Sequence, residues 1–188
     1  MTAFVIGNGC SRKTINLRLL KGKTYGCNAL YKDFQPDVLV ATDEPISKAI
    51  QDSGYPKYKR FHTRKVYGGS GAIQLKNPYS GWSSGPNALQ LAVHDGHKEI
   101  YILGFDFGST HSRFNNIYAN TEFYRKSHET ATFSGNWQHQ IETIIKHHPK
   151  VHFIFVEGSE TKRVLKEGKY KNVSFVQIIE FLKIINNV

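Results

Sequence analysis

Strand-like and helix-like segments alternate along 188 residues, which predicts an α/β fold with a mostly parallel sheet and helices on both faces. Three observations carry that expectation. Short apolar runs recur, each followed closely by Gly, Asn or Asp. Segments with helical spacing of apolar residues separate them. A hydrophobic content of 39% over this length supports one sizeable core, and the chain is too short for two typical domains. The expected architecture is a single Rossmann-like domain over residues 1–188, with its ligand site beyond the strand C-termini where the strand order reverses.

The first strand is the run Ala3 to Ile6, ended by the tight turn Gly7-Asn8-Gly9. A polar stretch containing Ile15, Leu17, Leu19 and Leu20 leads to a second strand, Thr24 to Cys27, which runs into Asn28. Val38 to Thr42 forms the third; Asp43, Glu44 and Pro45 stop it, and Pro45 suits the first turn of a helix reaching Ile50. From Gly54 to Ser83 the chain is rich in Gly, Pro, Tyr and Lys, with short strand-like pieces at Arg60 to Thr63 and Ala72 to Leu75. Ala88, Leu89, Leu91, Ala92 and Val93 define a helix from Gly85 to His97, and Glu99 to Phe105 is the clearest strand, ending at Asp106. A helix from Ser134 to His148 carries Trp137, Ile141, Ile144 and Ile145 on one stripe. Strands at Val151 to Val156 and Val173 to Val176 and a helix through Ile185 complete the alternation.

Residues 107–132 interrupt it. This polar, aromatic excursion holds His111, Arg113, Tyr118, Tyr124, Arg125 and His128, and a long loop leaving a strand end often serves as a lid.

Lys and Arg outnumber Asp and Glu by 25 to 15, a formal charge of +10 that favours anionic partners. The basic residues are scattered and form neither a long run nor a basic amphipathic helix, which argues against a nucleic-acid partner. Cys10 and Cys27 each follow a strand beside a glycine and read as small packing residues in a reducing cytoplasm. No segment approaches the roughly 20 apolar residues of a membrane span, and the N-terminal MTAFVIGNG lacks the basic leader of a signal peptide. A soluble, cytoplasmic protein is expected, with a homo-oligomer compatible with the sequence.

Gly7-Asn8-Gly9-Cys10-Ser11 puts small residues and backbone N–H groups at a strand end, where a phosphate or ribose approaches closely and a following helix N-terminus adds positive potential. The pattern lacks the third glycine of the dinucleotide fingerprint and the Gly-Lys-Ser/Thr of a P-loop, so an ordinary βα turn explains it equally well. Asn28, Asp43, Ser84 and Asp106 each follow a strand or start a helix. Singly they read as helix caps or turn residues; together they converge on one edge of the sheet. His147 and His148 suit a helix C-terminus, and His94 and His97 lack any spacing that specifies zinc, so no metal site is expected. His111, His128 and His139 are the candidate general bases. The Tyr118 and Tyr124 hydroxyls either donate hydrogen bonds to a departing phosphate or pack the excursion onto the sheet.

IGNGCS at the first strand, GCNALY at the second, SSGPNALQLAVHDGHKEIYILGFDF in the middle and NWQHQIETIIKHHPKVHFIFV together resemble bacterial sialyltransferases. The resemblance spans most of the chain except Gly54 to Ser83 and the excursion. It implies a nucleotide-binding α/β domain that takes CMP-sialic acid, passes the sugar to a glycan hydroxyl and needs no metal or other cofactor for the chemistry. By motif, Asn8 and Gly9, with Ser11 in the same loop, meet phosphate or ribose, Asn28 and Asp43 the nucleotide, and Ser84 with Gly85 the same pocket. Asp43 stands where the family's pattern has asparagine. The family's base is a histidine three residues before the asparagine corresponding to Asn136, and Phe133 takes that place here, which leaves His128 or His139 as substitutes.

The expectation is therefore a metal-independent glycosyltransferase with a CMP-sugar donor and a glycan acceptor. The alternative is a nucleotide-binding or accessory protein of the same fold that has lost the base, a role suited to a small basic phage or bacterial protein. A more distant resemblance, to the 6-hydroxymethylpterin diphosphokinase-like group, implies a nucleoside triphosphate with Mg²⁺ and makes Asp43 and Asp106 metal-ligand candidates.

Overall fold

The computed structural model describes residues 2–77, 79–107, 113–129, 135–157 and 161–187. Among the described residues eight parallel strands form one sheet: β1 (Thr2–Ile6), β2 (Lys23–Cys27), β3 (Val38–Ala41), β4 (Arg60–Thr63), β5 (Ile73–Gln74), β6 (Glu99–Leu103), β7 (His152–Val156) and β8 (Val173–Val176). Their order is β5-β4-β3-β2-β1-β6-β7-β8. The chain steps outward from β1 to one edge, then returns to β1's other side at β6. The reversal that opens a crevice in such sheets therefore falls between β1 and β6, where the register pairs Ile6 with Leu103.

Strand residues are apolar on both faces because both are covered. Ala3 and Val5 of β1 and Ile100 and Ile102 of β6 pack with α2 (Ser84–His94) and α3 (Gly135–His147). Phe4, Ile6 and Leu103 turn the other way, against Phe181 and Ile185 of α5 (Ile178–Asn186). Leu39, Ala41 and Phe61 continue that second face against Ile46 and Ile50 of α1 (Glu44–Asp52). Alternation along each strand thus assigns every buried side chain to a layer.

Several boundaries differ from expectation. The polar stretch after β1 forms two short helical turns, Cys10–Thr14 and Leu17–Leu19, instead of a full helix. β6 ends at Leu103 because Gly104 takes φ 67°, which bends the chain out of the sheet. A short α4 (Thr161–Leu165) follows β7, a helix the apolar pattern did not signal. Cys27 is buried as expected, whereas Cys10 is exposed. Among the described residues no helix is long and apolar enough to cross a membrane.

Candidate functional site

A cavity of about 410 Å³ opens at the C-terminal ends of the central strands. Asn8, Gly9, Asn28, Asp43, Ser84, Gly85, Asp106 and Tyr124 all line it. These residues come from the turns after β1, β2, β3 and β6, the start of α2 and the excursion, so the topology that places the reversal also gathers them.

The turn after β1 is closed by the protein itself. Gly7 N–H donates to Leu103 O at 2.7 Å and Gly9 N–H to Gly104 O at 2.9 Å. Cys10 N–H donates to Asn115 Oδ1 at 2.8 Å, and Ser11 N–H to Asp106 Oδ2 at 3.0 Å. Ser11 Oγ donates to the other oxygen of Asp106. The expected phosphate cradle is thus occupied by the buried Asp106 carboxylate, an anion supplied by the chain at the start of a helical turn. A Cβ on Gly9 would lie 2.5 Å from Asp106 Cγ and 2.6 Å from Gly104 O, so only glycine fits this approach. Asn8 is likewise engaged: its Nδ2 donates to Cys27 O at 3.0 Å and its Oδ1 accepts from the buried Arg12 at 3.0 Å. Arg12, whose Nε donates to Gly7 O at 2.6 Å, holds the turn from beneath. A charge buried in a predicted polar turn gave no pattern that would have singled it out.

Ser84 is a junction. Its Oγ donates to Asn28 Oδ1 at 3.0 Å and accepts from Thr42 N–H at 3.0 Å. A serine hydroxyl has one proton, so Thr42 Oγ1, also at 3.0 Å, must be the donor in their contact. Asn28 adopts φ 53°, a left-handed conformation that asparagine tolerates, and caps no helix. Its Nδ2 has no partner among the described residues. Asp43 occupies the cap position of α1 without a side-chain capping bond.

The excursion docks over this edge. Ile117 N–H donates to Asn8 O at 2.8 Å, and Tyr124 Oη accepts from Ala29 N–H at 3.2 Å. With its oxygen accepting, Tyr124 keeps its own proton to donate; burial, then the neighbouring Cys27, Tyr118 and Asp43, pushes the phenol well above its ordinary range. Tyr118, by contrast, does not line the cavity. Its buried hydroxyl has no hydrogen-bond partner among the described residues, and burial, with Asp33 beside it, pushes it up to about 12. The cavity wall also includes Arg125, whose guanidinium has no partner among the described residues, Phe105, Phe114, Phe123 and Trp137. Trp137 was expected on α3's core stripe with Ile141, Ile144 and Ile145. Those three are buried, while Trp137 is 38% exposed at the cavity.

His128 is exposed on the excursion and His139 exposed on α3, and neither lines the cavity. His111 and Phe133 lie outside the described residues. Among the described residues no group of three or more His, Cys, Asp or Glu side chains converges as a metal site.

No family model and no curated protein matches the sequence. Among solved structures the chain is similar to the sialyltransferase CstII from Campylobacter jejuni, determined in complex with a substrate analogue, cytidine-5'-monophosphate. The identity is 14%, the match covers 93% of this chain and 88% of that one, and the TM-score is 0.48.

Proposed function

We propose that the chain is a sialyltransferase-like glycosyltransferase that takes a CMP-sugar as donor and transfers the sugar without a metal. The observation that carries this reading is the cavity at the β1–β6 reversal. There the segments resembling that family bring together an aromatic wall and hydrogen-bonding groups that the protein leaves open.

Each open group has a part in that reading. Phe105, Phe114 and Trp137 offer an apolar wall for a pyrimidine and ribose. Tyr124 and Arg125, neighbours in sequence on the same wall, meet the phosphate. A phenol held protonated by burial donates to the phosphate as negative charge builds on it, and the guanidinium balances that charge. These two groups take the place of a metal at the leaving group. Asn28 Nδ2 and Asp43 face the sugar end. Gly9 and Asp106 form the rigid floor on which the nucleotide rests.

One observation favours a second reading: no histidine among the described residues lines the cavity. A nucleotide-binding accessory protein would bind CMP saturably and leave CMP-sugars intact.

Calorimetric titration with CMP, CDP, CMP-sialic acid and ATP, each with and without Mg²⁺, tests the nucleotide assignment. Metal-independent binding of CMP is expected, and Arg125→Ala should weaken it about tenfold through loss of a charge-assisted contact. Absence of cytidine binding would overturn the reading, and binding of ATP only with Mg²⁺ would favour pyrophosphate transfer.

A further inference from the structure

A second cavity, of about 320 Å³, adjoins the first over the ends of β3 and β4 and shares Thr42, Asp43 and Arg64 with it. Most of its polar groups are closed on one another. Glu44 Oε1 accepts from Lys65 Nζ at 2.6 Å and from Tyr67 Oη at 2.7 Å. Ser47 and Thr63 join their hydroxyls, and Arg64 donates to the carbonyls of Ser80 and Trp82.

Asp43 is the exception. Its carboxylate has no hydrogen bond or ion pair among the described residues, although it precedes α1, where an aspartate ordinarily caps the helix. It stands where the two cavities meet, near enough to Tyr124 to oppose ionisation of that phenol. The other carboxylate on the first cavity, Asp106, is buried and held by Ser11. A proton acceptor must not already be engaged, and of the described carboxylates and histidines lining the first cavity only Asp43 meets that condition.

We infer that the second cavity is the acceptor site and that Asp43 is the general base of sugar transfer. This rests on the CMP-sugar reading above. The second cavity's four charged side chains, Asp43, Glu44, Arg64 and Lys65, sum to zero, and its size is at the small end of ligand pockets, which run from about 300 Å³ upward. Both features suit an uncharged, hydroxyl-rich acceptor, a neutral glycan end, better than an anionic one. In the step, the acceptor oxygen forms a bond to the donor's anomeric carbon while its proton passes to the Asp43 carboxylate. The bond from that carbon to the phosphate oxygen breaks, and its electron pair leaves on CMP, where Tyr124 donates a hydrogen bond. Solvent later takes the proton from Asp43.

The test compares the wild-type chain with Asp43→Asn in three measurements: calorimetric binding of CMP, transfer from CMP-sialic acid to a panel of neutral oligosaccharides, and transfer to azide. Azide carries no proton to remove, so its reaction does not need the base. Asp43→Asn should bind CMP within about threefold of wild type and lose about 10²-fold or more in transfer to oligosaccharides, with transfer to azide retained. The assignment is overturned if the variant glycosylates oligosaccharides at the wild-type rate. It is equally overturned if azide transfer falls in proportion, since Asp43 would then position the donor and not take the proton. A wild-type chain that binds CMP but transfers to neither acceptor also removes the base role and leaves the accessory reading standing. A wild-type chain that binds no CMP removes the nucleotide reading itself, and binding alone separates that failure from the others.

Discussion

Asp95 and Asp43 stand at opposite ends of the same sheet. Asp95 follows α2 at the edge where the strands begin, and one of its oxygens accepts from Tyr25 Oη at 2.6 Å, Arg60 Nη1 at 2.7 Å and Lys23 Nζ at 3.1 Å. Arg60 in turn donates to His62 Nε2 at 2.9 Å, and Tyr25 Oη lies 3.1 Å from His97 Nε2. Asp43 follows β3 at the edge where the strands end, with no partner for its carboxylate among the described residues. A polar network closed on itself stabilises a fold and presents little to a ligand; a group left open at a cavity does the reverse. The difference separates an aspartate that holds the fold from one left open at a cavity, although in sequence both are acidic residues next to a helix end.

The largest effect is expected within the closed turns at the edge where the strands end. Gly9→Ala forces a Cβ into the Asp106 carboxylate and the Gly104 carbonyl, and should cost about 3 kcal/mol in denaturant unfolding. A loss below about 0.5 kcal/mol would mean that the β1 and β6 turns are not locked together.

Asp95→Asn comes next. It removes a charged acceptor shared by three donors, and with a side chain still 19% exposed the loss should be about 1–2 kcal/mol in the same measurement. CMP affinity should be unchanged. Asp43→Asn should leave stability within about 0.5 kcal/mol; a comparable loss for both aspartates would dissolve the contrast. The pH dependence has a definite sign. Burial alone would raise Asp95, but the hydrogen bonds from Tyr25, Arg60 and Lys23 outweigh it and hold the carboxyl down to about 2, from an ordinary value of 3.8. Its contribution is complete above 3.8 and is lost as pH falls toward 2.

A pH effect of similar size concerns His62, on β4 beside that network. Burial, reinforced by Arg60, holds its imidazole down to about 4, so the folded protein keeps it neutral. A histidine depressed on folding stabilises fully above its unfolded value of 6.5 and progressively less as pH falls toward 4. Between pH 7 and pH 5 the protein should lose about 1–2 kcal/mol through this residue. His62→Gln should flatten that part of the melting-temperature profile; an unchanged slope would place the acid sensitivity elsewhere.

Much of the fold was legible because its signals are local. Ala3 to Ile6 and Glu99 to Leu103 are short, mostly apolar runs followed closely by turn residues, and the sheet sets these two strands side by side at the reversal of strand order. The candidate site was legible as a set of positions, since residues at strand C-termini share an edge in any parallel sheet. Their chemical state was not. Ser11 and Asp106 meet across 95 residues, as do Ala29 and Tyr124, and no periodicity reports that Asp106 fills the turn that looked ready for phosphate. Arg64, Phe114 and Trp137 were not expected at the site because they reach the cavity from a Gly-rich connection, an excursion and a helix stripe that otherwise points to the core.

The amino-acid sequence by itself determined the order of strands and helices, the parallel sheet they build and the edge where the cavity-lining residues collect, because burial patterns and turn chemistry act over a few residues. Only the tertiary structure decided which of those residues are open. Hydrogen bonds use up donors and acceptors pairwise, and the partners that engage Asn8, Ser84 and Asp106 while sparing Asp43 come from segments that meet only when the chain is folded.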